Sequence, residues 1–187
     1  GATCDECGDG QQCAVAGDCT SGVCTGGVCA SPSCTDGVRN QDETDVDCGG
    51  ATCNACADGL WCLAPSDCQS GVCTASVCQA PACTDGVHNG DETDVDCGGG
   101  ACPTCSVGES CSVGTDCTSG VCSAGLCQGA GCDDAVQNGE ETDVDCGGSV
   151  CAPCADGLGC SAGTDCQSGV CTSGTCASPT CSDGAHN

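Results

Sequence analysis

No stretch of the chain places apolar residues at the three-to-four spacing of an amphipathic helix over ten residues, and none alternates long enough for an extended strand. Gly, Ser, Thr, Asp and Pro punctuate every segment, and Gly alone accounts for 32 of the 187 residues. The pattern therefore predicts turns and short strands with little regular secondary structure. Its clearest element is D-C-x-S-G-V-C, at Asp18 to Cys24, Asp67 to Cys73, Asp116 to Cys122 and Asp165 to Cys171. It reads as a turn, in which the Asp accepts a backbone N–H, feeding a short strand.

Composition explains how such a chain can fold. Ile, Phe, Tyr and Met are absent, Trp61 is the one aromatic residue, and Cys is present 31 times. Ordering each residue costs about 1–2 kcal/mol of backbone entropy, which so few large apolar side chains cannot offset. Cross-links must supply the difference. Cysteine at this density points to an oxidising compartment, and hence to an extracellular or cell-surface protein. The formal charge of -26, from 27 acids against one Arg, argues against nucleic acid or an anionic membrane as partner. No apolar run reaches ten residues, so no membrane span is expected and any export signal would lie outside this stretch.

The strongest signal is an internal period. Cys34, Cys83, Cys132 and Cys181 recur every 49 residues without insertion, as in quasi-one-dimensional repeat proteins. The expected organisation is a partial first unit over 1–34, repeats over 35–83, 84–132 and 133–181, and the start of another at 182–187. Fold class follows as a small disulfide-rich repeat array, linear and solenoid-like or beads on a rod. Both ends fall inside a repeat, so the segment is expected to be a slice of a longer array. Each unit from Cys48 to Cys83 carries eight cysteines, giving four bridges if pairing is internal to it. Pairing within the C-x2-C motifs such as Cys53 and Cys56 is disfavoured, and the spacings suggest Cys62 with Cys73 and Cys68 with Cys78. Structural cystines are preferred to zinc thiolates or redox work, because one C-x2-C per repeat does not make two converging pairs.

Between the cysteine clusters runs an acidic segment in three complete copies. Asp36, Asn40, Glu43, Asp45 and Asp47 recur as Asp85, Asn89, Glu92, Asp94 and Asp96, then as Asp134, Asn138, Glu141, Asp143 and Asp145; Asp183 and Asn187 begin a fourth. The four-residue spacing of Asp36 and Asn40 would put both on one side of a helical turn. Glu43, Asp45 and Asp47 alternate as on one strand face. Carboxylates held together without Lys or Arg call for a cation, and oxygen-rich ligands favour Ca2+, one or more per repeat, over Mg2+ or Zn2+. A solvated acidic linker is the plain alternative. The EF-hand spacing does not occur.

The pattern C-x-D-G-V-x-N-x-x-E-T-D-V-D-C-G-G, followed by C-x2-C and D-C-x-S-G-V-C, resembles tandem cysteine-rich repeats of secreted bacterial surface or filament proteins, particularly from myxobacteria and relatives. The resemblance spans the whole chain and implies a structural or adhesive role. A looser similarity to the calcium-binding Lin-12/Notch repeat lies in composition more than in spacing.

Catalysis finds no support. His88 and His186 stand where other copies carry Arg39 and Gln137, and no Ser or Thr stands beside a recurring base. Trp61 aligns with Gln12, Ser110 and Gly159 and reads as exposed. Thr44, Thr93 and Thr142 are expected to hydrogen-bond the turn backbone. The sequence thus points to an extracellular structural protein, a calcium-stiffened and disulfide-stapled rod or filament that self-associates or continues as a longer repeat chain. The alternative is a spacer or stalk presenting an adhesin or ligand-binding domain.

Overall fold

A computed structural model of the chain describes residues 6–180. The chain divides into two compact units, Gly1–Gly90 and Asp91–Asn187. Each holds the same module twice: a single 3-10 turn followed by a hairpin of two-residue strands. In the first unit these are η1 (Ala16–Asp18) with β1 (Cys24–Thr25) and β2 (Val28–Cys29), then η2 (Pro65–Asp67) with β3 (Cys73–Thr74) and β4 (Val77–Cys78). The second unit repeats them as η3 (Gly114–Asp116), β5 (Cys122–Ser123) and β6 (Leu126–Cys127), then η4 (Gly163–Asp165), β7 (Cys171–Thr172) and β8 (Thr175–Cys176). The small disulfide-rich repeat array anticipated from the sequence is the observed fold.

Each hairpin is antiparallel, with Cys73 opposite Cys78 and Thr74 opposite Val77 in the second module. Its two-residue loop needs positive φ at both positions, because only that backbone twist matches the twist of the strands. Gly26 and Gly27 supply it freely at 62° and 80°, whereas Ala75 and Ser76 adopt 52° and 64° against their intrinsic preference. The Asp of each D-C-x-S-G-V-C does what its sequence suggests. Asp67 Oδ2 accepts the N–H groups of Leu63 (2.8 Å) and Ala64 (2.9 Å), tying down the start of η2, and Oδ1 accepts that of Gly50 (3.1 Å).

The core is sulfur. Cys56, Cys62, Cys105 and Cys154 are fully buried, and Val23 and Val170 are the only apolar residues other than cysteine to join the buried set among the described residues. Cys62 pairs with Cys73 and Cys68 with Cys78, as expected, and the same two bridges recur in the other modules. No described C-x2-C closes on itself.

The remaining bridges correct the idea of pairing internal to a unit. Cys56 pairs with Cys48, but Cys53 reaches back over the whole acidic segment to Cys34, and Cys151 reaches likewise to Cys132. Although 19 positions apart in sequence, Cys34 and Cys53 have Cα atoms 5.5 Å apart. The acidic segment between them is folded back by successive turns, so it forms a cystine-closed loop and does not run between closed units as a linker.

Candidate metal site in the acidic loops

The loop over 36–47 contains neither the helical turn nor the strand that its spacing suggests. Asp45 and Cys48 form an isolated bridge around a turn, and Asp47 sits at φ 60°. That left-handed residue reverses the chain where strand alternation would have continued. Glu43, Asp45 and Asp47 therefore do not line one face.

Asp36 closes a local turn. Its Oδ2 accepts the Ser33 N–H (2.7 Å) and the Asn40 Nδ2–H (3.0 Å), while Oδ1 accepts the Val38 N–H (2.9 Å). Asp85 and Asp134 receive the equivalent backbone and Asn donors. Asp47 turns back onto the Gly37 N–H at 2.9 Å and 3.1 Å to its two oxygens, and Asp145 does the same for Asp134 and Ala135. Asp45 leaves this group and accepts the Trp61 N–H at 2.7 Å, as Asp94 accepts that of Ser110 and Asp143 that of Gly159. Asp96 donates its own N–H to Glu92 Oε2 (3.2 Å). Asp183 and Asn187 lie outside the described residues.

These donors bear on the charges. The Asn40 side chain and the Ser33 amide hold the Asp36 carboxyl below the usual aspartate value of 3.8, and the Trp61 amide does so for Asp45. The Asn138 side chain acts likewise on Asp134, and the Gly159 amide on Asp143. Hydrogen-bond donors, chiefly the Asn side chains at Asp36 and Asp134 and backbone amides at Asp45 and Asp143, thus stabilise these four carboxylates in their ionised form. The acids are brought together as caps for a turn-rich backbone.

Asn40 and Glu43 differ. Asn40 Nδ2 donates both to Asp36 and to the Ser21 carbonyl (3.0 Å), a long-range tie between the loop and the preceding module; Asn89 bonds Ser70 and Asn138 bonds Ser119 in the same way. Two acceptors around Nδ2 fix the amide orientation, and Oδ1 of both Asn40 and Asn138 is then buried with no hydrogen-bond partner. Glu43 is only 5% exposed. Its Oε2 accepts the Asn40 N–H at 3.1 Å and faces the Asp47 N–H at 3.4 Å, while Oε1 lies 3.3 Å from Cys53 Sγ. That sulfur belongs to the Cys34–Cys53 cystine and carries no proton, so Oε1 receives no hydrogen bond from it. Glu141 repeats the arrangement, with Oε2 3.2 Å from the Asn138 N and Oε1 3.5 Å from Cys151 Sγ.

Paired as cystines, the sulfurs from Cys13 to Cys176 are not available as thiolate ligands. The close groups of three cysteines, such as Cys62, Cys68 and Cys73, are drawn from neighbouring cystines and offer no thiolate to zinc. Cys7 forms no disulfide among the described residues, and its equivalents Cys56, Cys105 and Cys154 pair with the cysteine eight positions earlier. Of the other singled-out residues, Trp61 is 40% exposed and stacks under Arg39, whose guanidinium carbon is 4.7 Å from the ring centroid. The Thr142 hydroxyl donates to the Gly159 carbonyl at 3.0 Å, whereas Thr44 Oγ1 lies 3.8 Å from Cys56 Sγ.

Sequence reasoning missed the Cys34–Cys53 closure and the distinction between Asn40 with Glu43 and the three aspartates. The consecutive glycines after Cys48 were the available signal. A Cβ at Gly49 would overlap the Thr44 hydroxyl, and one at Gly50 the Asp42 carbonyl oxygen, so the chain must double back there. No described helix is long and apolar enough to cross a membrane. No family model, curated protein or solved structure matches the chain.

Proposed function

We propose that the chain is part of an extracellular structural protein, a disulfide-stapled rod or filament whose acidic loops bind calcium and stiffen it. The observation that carries this reading is the sulfur core: every cysteine from Cys13 to Cys176 is in a disulfide, and few other side chains are buried. Such a fold persists only where thiols stay oxidised. The uninterrupted 49-residue period supports a role as repeated building material, and the resemblance to secreted bacterial repeat proteins agrees with it. Self-association, or continuation into further repeats, would extend the material.

The test is alkylation of the native protein, followed by electron microscopy in calcium and in excess EGTA. The expected result is no labelling between Cys13 and Cys176, and a shorter persistence length in EGTA with the cystines intact. Reactive thiols in that range, or filaments unchanged by the chelator, would overturn the reading.

A further inference from the structure

We propose that Asn89-Gly90 and Asn138-Gly139 are self-modifying sites, at which deamidation of the asparagine converts the side chain that ties the start of its acidic loop to the preceding module and so releases the tie. The inference goes beyond the proposed function and needs no bound calcium. It starts from a difference between copies. The second and third loops carry Asn-Gly where the first carries Asn40-Gln41. Glycine has no Cβ to shield its peptide nitrogen, and Gly90 and Gly139 are exposed beside the half-buried Asn89 and Asn138. Positive φ alone does not require glycine here, because Gln41 holds 51° where Gly90 and Gly139 hold 60° and 59°.

What the asparagine holds gives the reaction its consequence. Asn138 Nδ2 donates to the Ser119 carbonyl at 3.0 Å and to Asp134 Oδ2 at 3.1 Å, and Asn89 Nδ2 donates to the Ser70 carbonyl at 2.9 Å and to Asp85 Oδ2 at 3.1 Å. In the third loop the Gly139 peptide nitrogen, having lost its proton to water or hydroxide, attacks Asn138 Cγ. The N–Cγ bond forms, the Cγ–Nδ2 bond breaks, and the amide nitrogen takes up a proton and leaves as ammonia. Water then opens the cyclic imide at either carbonyl, giving aspartate or isoaspartate, and no oxidant or reductant is needed. The leaving atom, Nδ2, is the one held by both hydrogen bonds, so the closed loop restrains the reaction and the locally opened loop undergoes it. The product cannot close again in the same way. A carboxylate only accepts hydrogen bonds, and it would face the Ser119 carbonyl and the Asp134 carboxylate, which are acceptors too. Of this contact only the packing of Val136 against Gly120 is then left.

The test is prolonged incubation of the oxidised chain at mildly alkaline pH, followed by peptide mapping by mass spectrometry and amide hydrogen exchange on the aged protein. The mass gain of an amide-to-acid conversion is expected at Asn89 and Asn138 but not at Asn40. It should be at least about ten-fold slower than in the reduced and alkylated chain, because only opened loops react. Protein converted at Asn138 should lose at least about ten-fold of the exchange protection at the Val136 and Asn138 amides, which donate to Asp134 and Glu141. The Cys160 and Cys176 amides, which donate to Gly174 and Leu158 in the hairpin module, should keep theirs. Asn138→Asp should reproduce that loss without ageing, and Gly139→Gln, which places the first loop's residue in the third, should stop conversion at that site alone. No conversion in the native chain, or conversion as fast as in the reduced chain, would overturn the proposal. So would equal conversion at Asn40, or full loop protection in Asn138→Asp.

Discussion

Removing the Cys34–Cys53 bridge by Cys34→Ala with Cys53→Ala tests whether the acidic loop is held by its cystine or by its carboxylates. The bridge joins residues 19 apart, and the chain-entropy relation then gives about 11 cal/mol/K, or about 3 kcal/mol at 25 °C. At about 1.4 kcal/mol per factor of ten, opening of the loop should become about 10²-fold more frequent. The effect should be local, since the hairpin module has its own bridges, Cys62–Cys73 and Cys68–Cys78. Amide hydrogen exchange reads both regions. The Gly37, Val38 and Asn40 amides, which donate to Asp47, Asp36 and Glu43, should lose about two orders of magnitude of protection. The Cys62 and Cys78 amides, which donate to Ser76 and Leu60, should keep theirs. Because both cysteines are removed, no new thiol is introduced. Unchanged protection in the loop would show that backbone-to-carboxylate bonds suffice without the bridge, and equal loss in the hairpin would show that loop and module are one cooperative unit. Either result refutes the reasoning.

Backbone conformation and acid give two further expectations. Ala135 occupies φ 63° where the equivalent Gly37 and Gly86 sit at 76° and 75°. Ala135→Gly should relieve about 1–2 kcal/mol of left-handed strain and lose part of it to unfolded-chain entropy, a net gain of about 0.5–1 kcal/mol by denaturant titration. Gly50→Ala, with positive φ and the Asp42 carbonyl in its way, should lose at least about 2 kcal/mol in the same assay. The Leu63 and Ala64 amides lower the Asp67 carboxyl, and the corresponding amides lower Asp18, Asp116 and Asp165. A carboxyl with a depressed folded value stabilises fully above its unfolded value and loses that contribution as pH falls through the folded one. Titration below the usual aspartate value of 3.8 should therefore release the Leu63 and Ala64 amides to exchange while the cystines persist. NMR titration of the Asp67 side chain giving a value at or above that reference would contradict this.

What the sequence reveals here depends on the range of the interaction. The bridges Cys62–Cys73 and Cys68–Cys78 close loops of similar size around one turn and were readable from spacing, as was the amide-accepting role of Asp67. Cys34–Cys53 was not, because its closure depends on the path of the intervening loop. The alternation Glu43, Asp45, Asp47 reads as a strand face, but period-two patterning cannot register that Asp47 is left-handed. The motif that follows it, Cys48-Gly49-Gly50, carried the information in a different form. Two glycines whose added Cβ atoms would overlap Thr44 and Asp42 mark a chain folded onto itself. Asn40 was legible as recurring but not in orientation. Only the positions of the Ser21 carbonyl and the Asp36 carboxylate decide which end of its amide is left over.

Recurrence within the chain can therefore be divided by cause. Gly49, Gly98 and Gly147 recur because a side chain would strike the threonine five residues earlier in the same loop, Thr44, Thr93 and Thr142. Asp36 and Asp45 recur because turns need acceptors for their amides, and Val38, Val87 and Val136 because each packs against the glycine of a preceding S-G-V, Gly22, Gly71 and Gly120. Where the demand on the side chain is looser the residue changes: Asp42 gives way to Glu140, and Arg39 to His88 and Gln137. Architecture accounts for half of the Asn40 amide, through its two donated bonds, and for one oxygen of Glu43. The Oδ1 of Asn40 and of Asn138 stays buried without a hydrogen-bond partner.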